Sequence, residues 1–194
     1  MVAGHYAAAL IPAAHRVKAP FWLLLLCAQI PEFLWLLLAT LGIEPTLPAN
    51  ILDATFSNID VDMRFSHNLV PALIQAILTG LIVFAFFRSL SISIWCSALV
   101  VLHVACDYIV GFSHQIMWYT SPTIGINSYK HMPYVAILIE LFFAMACVLY
   151  FQIKRKNSEP LTRSRLTLLY LAFAIGVLVW MPNAKISLRT WLGL

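Results

Sequence analysis

A histidine and an aspartate stand four residues apart inside a segment that is otherwise apolar. The segment reads SALVVLHVACDYIVG and contains His103 and Asp107. This spacing puts both side chains on one face of a helix, one turn apart. An imidazole and a carboxylate so placed can bind a shared metal ion, share a proton, or form an ion pair that only stabilises the fold.

Two more ionisable side chains lie inside apolar segments, Glu32 in AQIPEFLW and Glu140 in the run that follows residue 133. An ionisable group within a membrane span costs roughly 2.5–3.5 kcal/mol on insertion scales, so each one requires an explanation. Depth can be counted along the helices at about 1.5 Å per residue. All four ionisable residues then lie roughly 6–15 Å below the outer boundary: Glu32, His103, Asp107 and Glu140. Their common depth predicts one polar cavity that opens to the outer side.

The stretch FSHNL adds two more polar residues, Ser66 and His67, just before the second apolar run. The connection between the second and third runs is only a few residues long, so these two helices are expected to be antiparallel neighbours. His67 would then lie near the outer end of the third helix, where Asp107 stands. We therefore expect His67 at the mouth of the cavity.

The first apolar run places Gln29 one turn before Glu32, with Pro31 between them. This proline is expected to kink the helix and free a backbone carbonyl oxygen in the same region. Residues 2–14 reach only about 20 Å as a helix, too short to span, which predicts a half-helix or re-entrant segment. If that segment folds back into the membrane, His5 approaches Glu32 from below.

Imidazoles and carboxylates together make a mixed nitrogen and oxygen site, which suits Zn²⁺, Mn²⁺ or Fe²⁺ better than metals that select thiolates. Such a site can acidify a bound water for hydrolysis, with a spare carboxylate as general base. The same groups without a metal can relay protons in a transporter. A cluster that only fixes helix packing is the third interpretation, and the residues leave all three open.

The composition defines the class of protein that must position these groups. Of 194 residues, 62% are hydrophobic and 10% charged, whereas a soluble domain has about 25% charged residues. Only helices satisfy their own backbone in lipid from runs of this length. We predict an all-α, polytopic membrane helix bundle that forms a single domain over 1–194. The runs long enough to span are 20–42, 68–88, 91–111, 134–153 and 165–181.

This domain divides into a short amino-terminal segment over 1–19, a four-span core over 20–153, and a basic loop, fifth span and tail over 154–194. Most of the 12 Lys and Arg residues flank the spans on the side of the amino terminus, which predicts that this terminus lies inside. The cluster at 154–156, KRK, is typical of a topology signal or lipid contact rather than of nucleic-acid binding. The loops 43–66 and 112–133 then face outward, and their length is typical of functional covers.

The order of these motifs resembles a bacterial group of polytopic inner-membrane proteins labelled as metal-dependent hydrolases. GHY, AQIPEFLW, GIE, FSHNL, HVACD and a glutamate in the fourth span correspond to that group's GH, AAQxxDLLW, GIE, YSHSL, SHWxxD and late glutamate. The resemblance covers about residues 3–152. Carried over by position, it implies a polar set of His5, Gln29, Glu32, Ser66, His67, His103, Asp107 and Glu140.

The chain departs from this group in the third span, where Gly111 stands in place of a histidine and His114 is the candidate substitute. Glu32 also replaces the usual aspartate, which keeps the charge and lengthens the reach. The H-x-x-x-D spacing is shared with integral-membrane lipid phosphatases. Ser97 stands where those enzymes have an arginine, and no K-x6-R-P precedes FSH, which argues against that class.

The sequence thus predicts an integral protein of a bacterial inner membrane with an outward-facing polar site. In the first hypothesis it is a metal-dependent hydrolase of unknown substrate: His67, His103 and Asp107 bind Zn, Mn or Fe, and Glu32 and Ser66 act in catalysis. His5, Gln29 and Glu140 are possible additional site residues. A proton-coupled transporter and a non-catalytic assembly protein are the alternatives. The lipid bilayer is the expected partner, and nucleic acid is not.

Overall fold

The computed structural model describes residues 3–157 and 160–194, and its dominant element is the α-helix. Short 3-10 turns occur at Ile51–Asp53 and Pro182–Ala184. The helices are α1 (Gly4–Ala8), α2 (Leu10–Ala14), α3 (Phe21–Cys27), α4 (Ile30–Thr40), α5 (Leu69–Phe87), α6 (Leu90–Val110), α7 (Ser128–His131), α8 (Pro133–Arg155), α9 (Arg163–Leu178) and α10 (Leu188–Leu192). The predicted all-α class is confirmed.

Among the described residues, α5, α6, α8 and the stretch Arg163–Ala184 that contains α9 are each long and apolar enough to cross a membrane. The bent pair α3 and α4 makes a fifth crossing if it is counted as one span. These helices turn large apolar side chains outward, such as Phe86 and Phe142, which are 81% and 76% exposed. Such contiguous apolar exposure suits a surface in contact with lipid.

The first span is broken rather than straight. The axes of α3 and α4 differ by 54°, and the break falls at Ala28 and Gln29, just before Pro31. Pro31 has no backbone N–H to donate to the carbonyl of Cys27, four residues earlier, so the helical hydrogen-bond ladder is interrupted across Ala28 and Gln29. The kink predicted from Pro31 is confirmed, and the carbonyl of Ala28 becomes available to another helix.

The amino-terminal segment folds into the bundle, as the half-helix prediction requires, but as two short helices, α1 and α2. Both pack mainly against α8, and the small side chains Ala7, Ala8 and Ala9 are almost completely buried. Small residues let helices approach closely where lipid gives no hydrophobic driving force between them. This close packing carries His5 into the centre of the protein, where it is 1% exposed.

Helices α5 and α6 form an antiparallel hairpin, closed by Arg88 in a left-handed conformation with φ 50°. Gly80 permits their close approach, because a Cβ atom there would collide with the Ser97 hydroxyl. The buried residues of α6 recur every three or four positions and include His103 and Asp107. The helical face that His103 and Asp107 were predicted to share is therefore the buried face of α6. The start of α5 lies beside the end of this face.

The two long connections lie at the end of the bundle where α4 and α6 end, which is called the outer end because the sequence predicts that it faces outward. In the first, β1 (Thr46–Leu47) pairs with β2 (Asp60–Val61), and in the second, β3 (His114–Gln115) pairs with β4 (Thr123–Ile124), both antiparallel. The tail after α9 joins this end, since the Asn183 carbonyl accepts a hydrogen bond from the Phe56 amide at 3.0 Å. Loops and tail together cover the outer ends of α4 and α6.

Candidate metal centre

The imidazoles of His67 and His103 and the carboxylate of Asp107 converge on one point near the outer end of α6. The two Nε2 atoms lie 3.3 Å apart. The Oδ2 atom of Asp107 lies 3.2 Å from His103 Nε2 and 3.5 Å from His67 Nε2. Glu32 of α4 completes the group, with Oε2 at 3.6 Å from His67 Nε2 and 3.9 Å from His103 Nε2. The structure thus brings these four predicted site residues together.

The spacing of these atoms fits the ligand shell of a small divalent ion. Zinc binds histidine nitrogen and carboxylate oxygen at about 2.0–2.2 Å, so tetrahedral ligands lie roughly 3.3–3.6 Å apart. The separations among His67, His103 and Asp107 fall at 3.2–3.5 Å, and those to Glu32 are slightly longer. Among the described residues, two sets of three have ligand atoms within 4.8 Å of one another. One set is Glu32, His67 and His103, and the other is His5, His103 and Asp107.

The break in the first span determines the orientation of the His103 ring. Its Nδ1 atom lies 2.7 Å from the carbonyl oxygen of Ala28. A carbonyl only accepts hydrogen bonds, so Nδ1 carries a proton, and the neutral form of the ring has its lone pair on Nε2. A backbone carbonyl behind a histidine is a common support for metal ligands, because it holds the tautomer and the ring orientation.

A chain of hydrogen bonds orients His67 in the same way. Its Nδ1 atom lies 2.9 Å from the hydroxyl of Ser66, and that hydroxyl lies 2.7 Å from Oε2 of the buried Glu44. A carboxylate only accepts, so the Ser66 hydroxyl donates to Glu44 and accepts from the Nδ1–H of His67. The Nε2 atom of His67 therefore also presents a lone pair.

In the neutral form of both rings, the two Nε2 atoms are acceptors that face each other across 3.3 Å. Two lone pairs at that distance repel, and the carboxylates of Asp107 and Glu32 add negative charge on the same side. His67 and His103 are each 1% exposed, and uncompensated charge is expensive at such burial. A cation between these four groups removes the conflict, and a divalent ion balances both carboxylates.

His5 reaches the centre from the opposite side of Asp107. Its Nε2 atom lies 3.2 Å from Asp107 Oδ1, and its ring stacks on that of His103 with centroids 3.5 Å apart. The expectation that His5 approaches Glu32 is replaced by this contact with Asp107 and His103. Within the described part of the chain, the Nδ1 atom of His5 has no hydrogen-bond partner.

Glu140 has a different environment. Its Oε1 atom accepts hydrogen bonds from the backbone amides of Ala3 and Gly4, both at 2.8 Å, and its Oε2 atom accepts from the Tyr129 hydroxyl at 3.0 Å. Neither group of potential metal ligands among the described residues includes it. Glu140 therefore anchors the start of α1, one residue before His5. Gln29, another predicted site residue, is buried at the start of α4.

His114 lies next to the centre without joining either ligand group within the described ranges. Its ring stacks against that of His67, with centroids 5.4 Å apart. Burial, followed by the neighbouring His67 ring, lowers the pKa of His114 to about 3, so this ring is neutral at physiological pH. At Gly111 a Cβ atom would lie 2.8 Å from the Asp107 carbonyl oxygen, so a histidine there would require a shifted backbone.

Sequence reasoning missed Glu44 as a site residue. It stands in the loop 43–66, which the sequence predicts to face outward, yet it is completely buried. Besides the Ser66 hydroxyl it accepts hydrogen bonds from the amides of Phe65 and Ser66, and so it holds the FSHNL turn. The motif GIE pointed to this residue, but its role depends on a contact across 22 positions.

Fold and site together define a helical protein with apolar helices able to span a membrane and a buried histidine and carboxylate centre near one end. Comparison with protein-family models, with curated protein sequences and with solved structures gives no match.

Proposed function

We propose that this protein is a membrane-embedded, metal-dependent hydrolase whose ion is held by His67, His103 and Asp107. The observation that carries the proposal is the pair of imidazole Nε2 lone pairs that face each other at 3.3 Å beside a buried carboxylate. Both rings are held in this tautomer from behind, by Ala28 and by Ser66. A three-ligand set with an open position is typical of catalytic rather than structural zinc.

Each remaining residue takes a separate role in this proposal. Glu32 has the longest distances to the imidazoles, its side chain is 31% exposed, and it lines a cavity beside the centre. It is therefore suited to accept a proton from an attacking water as general base. A bound divalent ion would acidify that water and polarise the scissile group. Ser66 donates to Glu44 and so positions His67 rather than acting as a nucleophile.

We further propose that the protein resides in a bacterial inner membrane, with its amino terminus inside and the centre near the outer face. Basic residues such as Arg88 and Lys154 lie at the carboxyl-terminal ends of α5 and α8. In α5 this is the end opposite to the candidate metal centre. Short loops rich in Lys and Arg remain on the cytoplasmic side. The centre, at the start of α5 and the end of α6, then faces outward.

One observation favours a second candidate, a proton-coupled transporter. The first span is broken at the centre, and discontinuous helices with exposed backbone groups are a feature of transporter binding sites. A proton shared between His67 and His103 would also relieve the repulsion of their lone pairs. The packing-only hypothesis has less support, because a structural cluster is expected to pair donors with acceptors.

Metal analysis of the purified protein tests the proposal. Wild-type protein, equilibrated with Zn²⁺, Mn²⁺ or Fe²⁺ and passed through a desalting column, should retain about one ion per chain, measured by inductively coupled plasma mass spectrometry. His103→Ala should retain almost none. His131→Ala is the matched control, because His131 is exposed in the outer loop, and it should retain metal like the wild type.

Equal metal content in wild type and His103→Ala, or none in either, would overturn the metal-dependent proposal. In the latter case, a proton flux measured in proteoliposomes and lost in His103→Ala would support the transporter.

A further inference from the structure

A cavity of about 270 Å³ adjoins the candidate metal centre, and Glu32, His67 and Asp107 form one of its walls. The other walls come from α4, from the outer loop 51–63, from the residue after Gly111 and from the tail. They consist mainly of large apolar and aromatic side chains, including Trp35, Leu36, Ile51, Phe56, Phe112 and Trp180. An occupant that reaches the centre through this cavity must be largely apolar.

The polar side chains in these walls are engaged by the protein itself. The Asn183 amide donates to the carbonyls of Ala54 and Ile186 at 3.1 and 3.2 Å. The Tyr129 hydroxyl donates to Glu140, and the Thr55 hydroxyl accepts from the Asn58 amide at 3.1 Å. The bound molecule is therefore held by apolar contact except where it meets the centre.

Part of the cavity lining is exposed at the surface of the protein. Leu36 and Ile51 line the cavity and are 45% and 49% exposed. Next to Leu36 on α4, Phe33 and Leu37 are 44% and 56% exposed and form part of the apolar outer surface. The wall at Leu36 therefore adjoins this apolar surface, where a lipid chain would be available to enter the cavity.

A second space, a polar groove of about 400 Å³, borders the cavity on the outer side. The two spaces share Val61, Met63 and His114 in their walls. The groove is lined by Asp62 and Arg64, which form an ion pair, together with Asp60, Asn68, Gln115 and Tyr119. An amphiphile that places its chain in the cavity can place its head group in this groove.

We propose that the cavity binds the acyl chain of a membrane lipid, with the head group in the polar groove and the linkage between them beside the metal centre. This inference rests on the proposed function only in treating the lipid as the hydrolysed substrate. Binding of the acyl chain depends on the apolar walls of the cavity, most of which come from residues other than the candidate metal ligands. The cavity volume of about 270 Å³ lies just below the range of about 300 to 1,000 Å³ for drug-sized ligands, so it leaves room for one chain at most.

Photolabelling tests the inference directly. The probe is lysophosphatidylcholine with a diazirine on its acyl chain, added to wild-type protein in nanodiscs of phosphatidylethanolamine and phosphatidylglycerol. After irradiation, mass spectrometry should find the label on peptides that contain residues 51–63 and 180–188. Unlabelled lysophosphatidylcholine should compete with the probe, whereas glycerophosphocholine, which has the head group without the chain, should not.

Variants that fill the cavity supply the second arm. Ala54→Trp places an indole in the space, and Ile59→Trp does the same from a neighbouring wall position in case the first variant does not fold. Labelling of the two regions should fall roughly tenfold, which corresponds to losing the burial of about two methylene groups. Leu37→Trp on the outer surface is the control and should label as the wild type does.

The same labelling on His103→Ala separates this inference from the proposed function. Retained labelling in a variant that no longer binds metal supports a lipid-binding cavity, whatever the outcome for hydrolysis. Labelling of the cavity peptides that equals the general lipid-facing background, or that persists in both filling variants, would overturn the lipid inference. If the wild type binds metal but shows only this background labelling, the proposal of a lipid substrate is refuted and the proposal of a metal centre is retained.

Discussion

Glu140 and the His67–His103 pair are both buried polar groups in the same bundle, but their hydrogen bonding is opposite. Glu140 meets three donors, the amides of Ala3 and Gly4 and the hydroxyl of Tyr129. The two imidazoles meet each other as acceptors, because a partner behind each ring holds the proton on Nδ1. Burial is nearly the same at the two sites.

The difference shows that burial and depth alone do not identify a functional centre. The match of donors to acceptors is more informative, since a buried group whose partners already match it is structural, whereas converging acceptors need a shared proton or a cation between them. Glu44 belongs with Glu140 by this criterion, because it accepts from two amides and a hydroxyl. Glu44 positions His67 through Ser66, Glu140 positions the segment that carries His5, and neither belongs to the candidate metal centre.

The strongest test of this comparison replaces Asp107 with asparagine. We expect Asp107→Asn to lose metal affinity by more than about 100-fold, the upper limit usual for a supporting residue. The new amide can donate to an Nε2 lone pair, so the metal-free variant should unfold at a temperature no lower than the metal-free wild type. Isothermal titration with Zn²⁺ and thermal unfolding measure the two effects, with Asp60→Asn at an exposed position as control. Unchanged zinc affinity would refute Asp107 as a ligand.

The corresponding change at the structural site is Glu140→Ala. It leaves two amides and a tyrosine hydroxyl without their acceptor, and hydrogen bonds to a charged group contribute about 1.5–3 kcal/mol each. We expect a loss of about 4 kcal/mol or more in stability, measured by denaturant unfolding in detergent. Zinc affinity should change far less than in Asp107→Asn. A larger loss of zinc binding than of stability would place Glu140 with the metal centre.

Metal removal should affect stability only through the centre. Because an ion bound to the folded state stabilises it by mass action, free metal at 100 times the dissociation constant contributes about 2.7 kcal/mol. Chelation should therefore lower the melting temperature of the wild type and of His131→Ala. It should leave His103→Ala unchanged. A chelator effect of equal size in all three proteins would point to metal bound elsewhere.

Glu44→Gln should produce the smallest effect of this series. The residue does not touch the ion but orients Ser66 and through it His67, and loss of such support typically costs 10–100-fold in metal affinity. Ser66→Ala should reduce affinity by a similar or smaller factor, and the double variant should add little to Glu44→Gln, because both act on one chain of hydrogen bonds. Fully additive losses would show that Glu44 acts independently of Ser66.

Much of the fold follows from composition and periodicity. The five predicted apolar runs correspond to the α3 and α4 pair, α5, α6, α8 and α9, with ends that differ by a few residues. Pro31 predicted the break because its effect is confined to one turn of helix. The shared face of His103 and Asp107 followed from helical spacing alone. These features depend on neighbours within a turn or two.

The membership of the centre was harder to predict. Depth grouped Glu140 with Glu32, His103 and Asp107, but depth along a helix says nothing about the direction in which a side chain faces. Glu140 turns to the amides of Ala3 and Gly4, which are more than 130 positions away. His5 was expected near Glu32 and instead meets Asp107 and His103, because α1 packs against α8 and α6.

The sequence by itself determined the class of element, the broken first span, the pairing of His103 with Asp107 and the kinds of ligand atom on offer. Those properties arise from local sterics and from the cost of polar groups in lipid. Only the tertiary structure decided which carboxylates face the imidazoles, which nitrogen of each ring is free, and that Glu44 supports His67. These depend on hydrogen bonds between distant residues, and the positions of such partners are set by helix packing rather than by spacing along the chain.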